Sequence, residues 1–380
     1  MRAAAFLTTL SVLFTMSAQA EEFTAAFRDP EDGAIDASEW LLDRRGFLPV
    51  PVIITEPAVG YGGGVALLFF QESMRDAASH ASEDGHVTPP NMYAGMVAGT
   101  ENGSKFAGVG AMMTFREDRW RYRGGVRRAD ANLDFYGIGG DPGTGDHKIE
   151  YNLDGWMSSQ QILRRLGRSN QYLAARWVYM DFDTRFDADQ QAPILNDSAR
   201  TLRSSGLGVS WEFDTRDNIF TPSRGFIAAV ETLFYDPDWG SDESFQTYRA
   251  RVFSYWPLAE KFVLGVRIDG RAARGDTPFY QLPYIALRGI PALRYQDENT
   301  AVLDTELRWN VTPRWALIGF IGAGRAWDSD DGFSDADTRA AGGAGFRYLM
   351  ARRLGLHVGV DYARGPDDDA IYLQVGNAWR

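Results

Sequence analysis

Few residue types in this chain are suited to chemistry. Four histidines and no cysteine among 380 residues remove thiol nucleophiles, disulfide frameworks, cysteine-based zinc sites and iron–sulfur clusters together. His357 has no serine or carboxylate placed by sequence to complete a triad, so hydrolase chemistry is an outside reading. Gly60-Tyr61-Gly62-Gly63-Gly64 lacks the Lys-Ser/Thr of a phosphate-binding loop. Asp328-Ser329-Asp330-Asp331-Gly332 is half a calcium loop, with Arg339 where the bidentate glutamate belongs. No catalytic, cofactor or metal site is expected. Arginine at alternate positions is what stands out: Arg119, Arg121, Arg123 and Arg127; Arg249 and Arg251; Arg267 and Arg271. Side chains two apart share one face of a strand. There they either brace against facing carboxylates or make an anion-attracting lumen.

The elements that must carry these arginines have period two from residue 49 to the end. Phe262, Leu264, Val266 and Ile268 alternate with Lys261, Gly265, Arg267 and Asp269. Leu303, Leu307 and Trp309 alternate with Asp304, Glu306 and Arg308. The segments run to about 10–14 residues, the length of a tilted strand crossing a bilayer, against about 5–6 in soluble sheets. Trp120, Trp256, Trp309, Trp315, Trp327 and Trp379 sit near segment ends, as an interfacial girdle requires. Short turns alternate with longer acidic or glycine-rich connections. In hydrocarbon only a closed barrel satisfies edge backbone groups. The expected fold is therefore an all-β transmembrane antiparallel barrel over 49–380. Fifteen strands are evident and an even number is needed. Residues 50–56 are the best candidate for the sixteenth, and a break within Arg127–Gly137 is the alternative.

The N-terminus reads as an export signal over 1–20. It has a basic start, an apolar run from Ala3 to Met16, and Ala18-Gln19-Ala20 as the cleavage site. Residues 21–48 form a short periplasmic or plug segment. Within it, Asp36-Ala37-Ser38-Glu39 has capping-box spacing ahead of a short helix that Gly46 closes. So short a helix must dock on something. The formal charge of −12 argues against nucleic acid as a partner.

Two stretches resemble the BamA/TamA-type bacterial surface antigens, most strongly over 200–380. Asp214-Thr215-Arg216-Asp217-Asn218, then Pro222 and Gly225, resembles that family's periplasmic turn. Leu287-Arg288-Gly289-Ile290-Pro291, followed by Glu306-Leu307-Arg308, resembles its sixth loop and the next strand. The resemblance implies sixteen strands and a sixth loop folded into the lumen. It also implies that Arg288 meets carboxylates of the inner wall, by position Glu306, with Asp304 on the same face. The chain departs from the family in having Ile290 after Arg-Gly and Gly322 where an acidic residue is usual. The family's substrate-receiving domains before the barrel are also missing. The last strand, with Tyr372 and Trp379 and with Ile371, Leu373, Val375 and Trp379 on one face, resembles a C-terminal assembly signal. Outer-membrane lipids, the barrel assembly machinery and a periplasmic partner or client chain are the expected partners. The function implied is protein insertion or translocation, or related transport, at the bacterial outer membrane. A passive or gated channel for small solutes is the alternative.

Overall fold

The alternation builds one sheet. The computed structural model describes residues 27–79, 90–136, 149–186, 200–330 and 332–379; the export signal lies outside them. Sixteen strands follow in chain order, each antiparallel to the next: β1 Gly46–Ile54, β2 Gly62–Phe70, β3 Met92–Thr100, β4 Lys105–Phe115, β5 Trp120–Phe135, β6 Ile149–Arg165, β7 Gln171–Phe186, β8 Arg200–Asp214, β9 Gly225–Tyr235, β10 Phe245–Ala259, β11 Phe262–Gly275, β12 Asn299–Asn310, β13 Trp315–Trp327, β14 Arg339–Ala351, β15 Leu356–Arg364 and β16 Asp369–Val375. The sixteenth strand is thus β1, and β5 runs unbroken from Trp120 to Phe135, across most of the alternative position. Val109, Ile268, Leu303 and Ile321 lie exposed on the outer face, an apolar band suited to lipid.

The barrel is nearly closed. Among the described residues no backbone ladder joins β16 to β1, so the sheet ends in two free edges. The β1 edge carries Pro49 and Pro51, of one parity, while the Val52 carbonyl of the other parity faces β2. A proline facing β2 would delete a ladder bond, so both nitrogens point to the seam, which loses two donors there.

Two parts differ from the sequence expectations. The helix α1 spans only Ser38–Leu42, with Ala37 at its N-cap and no side-chain cap. Asp36 instead accepts from the Ser38 N–H at 2.6 Å with one oxygen and from barrel arginines with the other. Gly46 opens β1 rather than closing the helix. Trp379 is not on the outer face with Ile371, Leu373 and Val375. The strand stops at Val375, and Gly376 at φ +78° turns the chain inward. Trp379 is buried in the lumen against Phe253 and Tyr255.

Candidate functional site

The connection from β11 to β12, residues 276–298, folds into the lumen. Ile285, Leu287, Ile290 and Tyr295 bury against Val302 and Ala341 of the wall. At its tip Gly289 takes φ +92° and packs on the β15–β16 turn. A Cβ on Gly365 would sit 2.0 Å from the Gly289 carbonyl oxygen, so the two backbones touch only because both residues are glycine. The Gly289 N–H donates to the Tyr372 hydroxyl of β16 at 3.0 Å.

Arg288 beside this tip is nearly buried, which requires compensating charge. Its Nη2 lies 2.8 Å from Glu306 Oε2 on β12, an ion pair without hydrogen-bond alignment. Its Nη1 donates to Asp361 Oδ2 on β15 at 2.7 Å. The guanidinium covers the Phe320 ring at 3.5 Å from the centroid, a cation–π contact. Asp361 has no exposed side-chain surface and also receives Arg347 at 2.5 and 2.9 Å. Asp304 makes no hydrogen bond to Arg288; its Oδ2 accepts from Trp379 Nε1 at 2.7 Å. Sequence reasoning passed over Asp361, although it sits on the inward parity of β15 opposite Tyr372. The acid absent at Gly322 has a steric reason: a Cβ there would lie 2.6 Å from Leu287. The β15 carboxylate supplies what β13 has no room for.

The loop reaches across the barrel. Phe279 packs edge-on against Phe135 and Tyr151 and tilted against Phe186 of β5–β7, and Gln281 donates to Ser204 of β8 at 2.7 Å. Beyond the tip, the Ala292 N–H donates to Glu56 between β1 and β2 at 3.0 Å, and Arg294 pairs with Asp367 between β15 and β16 at 3.2 Å. The loop therefore touches both sides of the seam at the long-loop end.

The Asp214–Gly225 turn closes the other end from within. Asp214 holds Arg216 at 2.7 and 2.9 Å, and Asp217 accepts the Ser223 and Arg224 N–H groups. Pro222 is fully buried. Gly225 has φ +91°, and a Cβ there would meet the Thr215 oxygen at 2.3 Å. Ser223 accepts from Arg308 on β12 at 2.7 Å, and Asn218 donates to the Leu354 carbonyl at 2.9 Å.

The segment before β1 bridges the seam at this short-turn end. Arg314, between β12 and β13, is buried and gripped by Asp29 at 2.5 Å, Asp32 at 2.6 Å and Asp36 at 2.6 Å. Arg352 binds Asp29 and Glu31, and Arg353 binds Glu39. The acidic segment is thus wrapped round a guanidinium. The hydrogen bonds from Arg314 and the Ala34 N–H hold the Asp32 carboxyl at about 2, below the ordinary 3.8. For Asp36 burial pushes upward, but the hydrogen bonds from Ser38, Arg314 and Arg352 outweigh it and lower it. Those of Asp32 and Asp36 raise Arg314 in return, against burial.

Residues 115–289 match the family model described as the Omp85 superfamily domain, a span that includes the Asp214–Gly225 turn and ends at Gly289. Its fold is similar to BamA from Haemophilus ducreyi lacking POTRA domains 1–3, at 12% identity and a TM-score of 0.58, over 88% of this chain and 70% of that one. It is also similar to CdiB from Escherichia coli (11%, 0.55, 86% and 61%) and to CdiB from Acinetobacter baumannii (9%, 0.53, 87% and 59%). The chain spans less than two thirds of either CdiB. No curated protein sequence matches it.

Proposed function

We propose that this is a bacterial outer-membrane barrel that inserts protein chains into that membrane or moves them across it, after export and cleavage behind Ala20. The seam carries the reading. Unpaired strand edges in hydrocarbon are costly, and a barrel that keeps two of them beside a lumen keeps a route for an extended chain to pair or pass. The Omp85 match supports the same reading. A passive solute channel has less support, because the β11–β12 loop lies across the lumen from Phe279 against β5–β7 to Arg288 against β12 and β15. During biogenesis the terminal strand, with Tyr372 and Trp379, serves as the assembly signal. With Trp379 enclosed in the finished barrel, that signal is readable only before folding completes.

A photo-crosslinking residue at Ile53 of β1 or Leu373 of β16, in intact cells, tests the proposal. We expect adducts to a second polypeptide from both edges and none from Ile321, which is exposed on β13 far from the seam. Lipid adducts alone at all three positions would overturn it.

A further inference from the structure

The lumen-facing side chains divide the barrel into two chemically distinct walls. On β1–β4 the inward parity reads Gly46, Leu48, Val50, Val52, Ile54; then Gly62, Gly64, Ala66, Leu68, Phe70; then Met92, Ala94, Met96, Ala98, Thr100; then Phe106, Gly108, Gly110, Met112, Thr114. No charge occurs in twenty positions. Apart from Lys105 at the start of β4, the outward parity of the same strands lacks charge too, with Ile53, Val65, Leu67, Val97 and Val109 exposed to the lipid side. A strand apolar on both faces needs apolar cover on both, and water in a lumen does not provide it. Facing this strip, β5–β10 bring arginines inward.

Between the two walls lies a cavity of about 600 Å³, within the ordinary range for a small-molecule site. Its lining takes Ala66, Ala94, Met96, Gly108, Gly110 and Met112 from the strip. From the opposite wall it takes five arginines, Arg123, Arg127, Arg176, Arg249 and Arg251, against two carboxylates, Glu212 and Glu231. Arg176 is bound to Glu231, Arg249 to Asp269, and Arg123 stands 3.6 Å from Glu212. Among the described residues no carboxylate lies within ion-pair distance of Arg127, which is exposed to the lumen, or of Arg251, which has the Phe253 ring at 5.7 Å and feels Glu212, Asp269 and Glu231 only at longer range. Structural bracing accounts for the paired arginines and leaves these two over.

We infer that this cavity binds the headgroup end of an anionic phospholipid, with its phosphate on Arg127 and Arg251 and its acyl chains running out of the cavity along the β1–β4 strip towards the seam. Each half of the site explains what the other leaves unexplained. A phosphate satisfies the unpartnered guanidinium groups, and acyl chains supply the missing apolar cover. The seam beside β1 gives such a molecule a way in from the bilayer without crossing either mouth. A free anion would leave the strip bare, and a neutral lipid would leave the arginines uncompensated.

Native mass spectrometry of the full-length protein in detergent tests this with phosphatidylglycerol, phosphatidylcholine of the same chains, and inorganic phosphate as probes. We expect the wild type to retain one phosphatidylglycerol under activation that strips peripheral lipid. Phosphatidylcholine should be lost, and phosphate should displace nothing. Arg127→Gln combined with Arg251→Gln breaks no ion pair, so the barrel should fold, and retention should fall about tenfold or more. Met96→Glu, which puts a like charge in the path of the chains, should lower it with the arginines intact. Equal retention by wild type and the arginine variant would overturn the inference, as would displacement by phosphate alone. The seam crosslinks to a polypeptide are read separately, so the failure of one claim is distinguishable from that of the other.

Discussion

Asp361→Ala should be among the most damaging single substitutions in this barrel. The carboxylate is fully buried and neutralises Arg288 from the loop and Arg347 from β14 together. Removing one partner of a buried pair costs about 3–5 kcal/mol, because the other charge stays buried without compensation. Here two guanidinium groups are left, and only Arg288 keeps a second carboxylate, Glu306 at 2.8 Å. We expect Asp361→Ala to lower the unfolding temperature more than Glu306→Ala does. Asp304→Ala should leave Arg288 in place and act instead through the lost Trp379 hydrogen bond. In a double-mutant cycle on heat-modifiable migration, Arg288→Ala and Asp361→Ala should cost clearly less together than their sum. Strict additivity would mean that the two do not share an interaction.

Arg314→Ala should release the segment before β1. Three aspartates converge on this guanidinium, and Asp29 and Asp36 are themselves buried. Unsatisfied buried acceptors cost about 1–3 kcal/mol, more when charged, which exceeds what a five-residue helix contributes by itself. Limited proteolysis should then cut within residues 27–45 of the variant while the wild type resists. Acid should produce the same release. The carboxyls of Asp32 and Asp36 are depressed on docking, so their stabilisation is complete above the free-carboxyl value. The Asp32 share is lost as the pH falls through about 2, and the Asp36 share is likewise lost below the ordinary carboxyl range. Protection that persists to pH 2, or an uncut Arg314→Ala variant, would show that the ion pairs do not hold the segment.

How far the sequence discloses this molecule follows from the range of each signal. Alternation is local, and it is strongest from β5 onward, where one face meets lipid and the other a polar lumen. It weakens over β1–β4, whose inward residues carry no charge, and fails at β1, where Leu48, Val50 and Val52 point inward and are as apolar as the outward residues. It also misplaces Trp379, since a period-two reading runs on past Gly376 while the backbone turns there. Arg288 and Glu306 emerge through resemblance to a known loop and strand. Asp361 does not, because its role depends on which strand lies opposite the loop tip, a fact of closure that no local pattern holds. The acidic run Asp29–Asp36 looks like a solvated face in isolation. Its meaning comes from Arg314, which is 278 residues beyond Asp36 in the chain.

The loop's place inside the lumen underlies both the Arg288 site and the seam, and one cross-link tests it. The chain has no cysteine, so an engineered pair is unambiguous. Leu287 in the loop packs where a side chain on Gly322 of β13 would stand, close enough for a disulfide. In outer membranes from cells carrying Leu287→Cys and Gly322→Cys, we expect the bond to form, giving a reducible shift in the migration of the denatured chain. Each single variant should resist a membrane-impermeant maleimide added from outside. Two free thiols in the double variant, with residue 287 labelled readily in intact cells, would contradict it and place the loop at the surface.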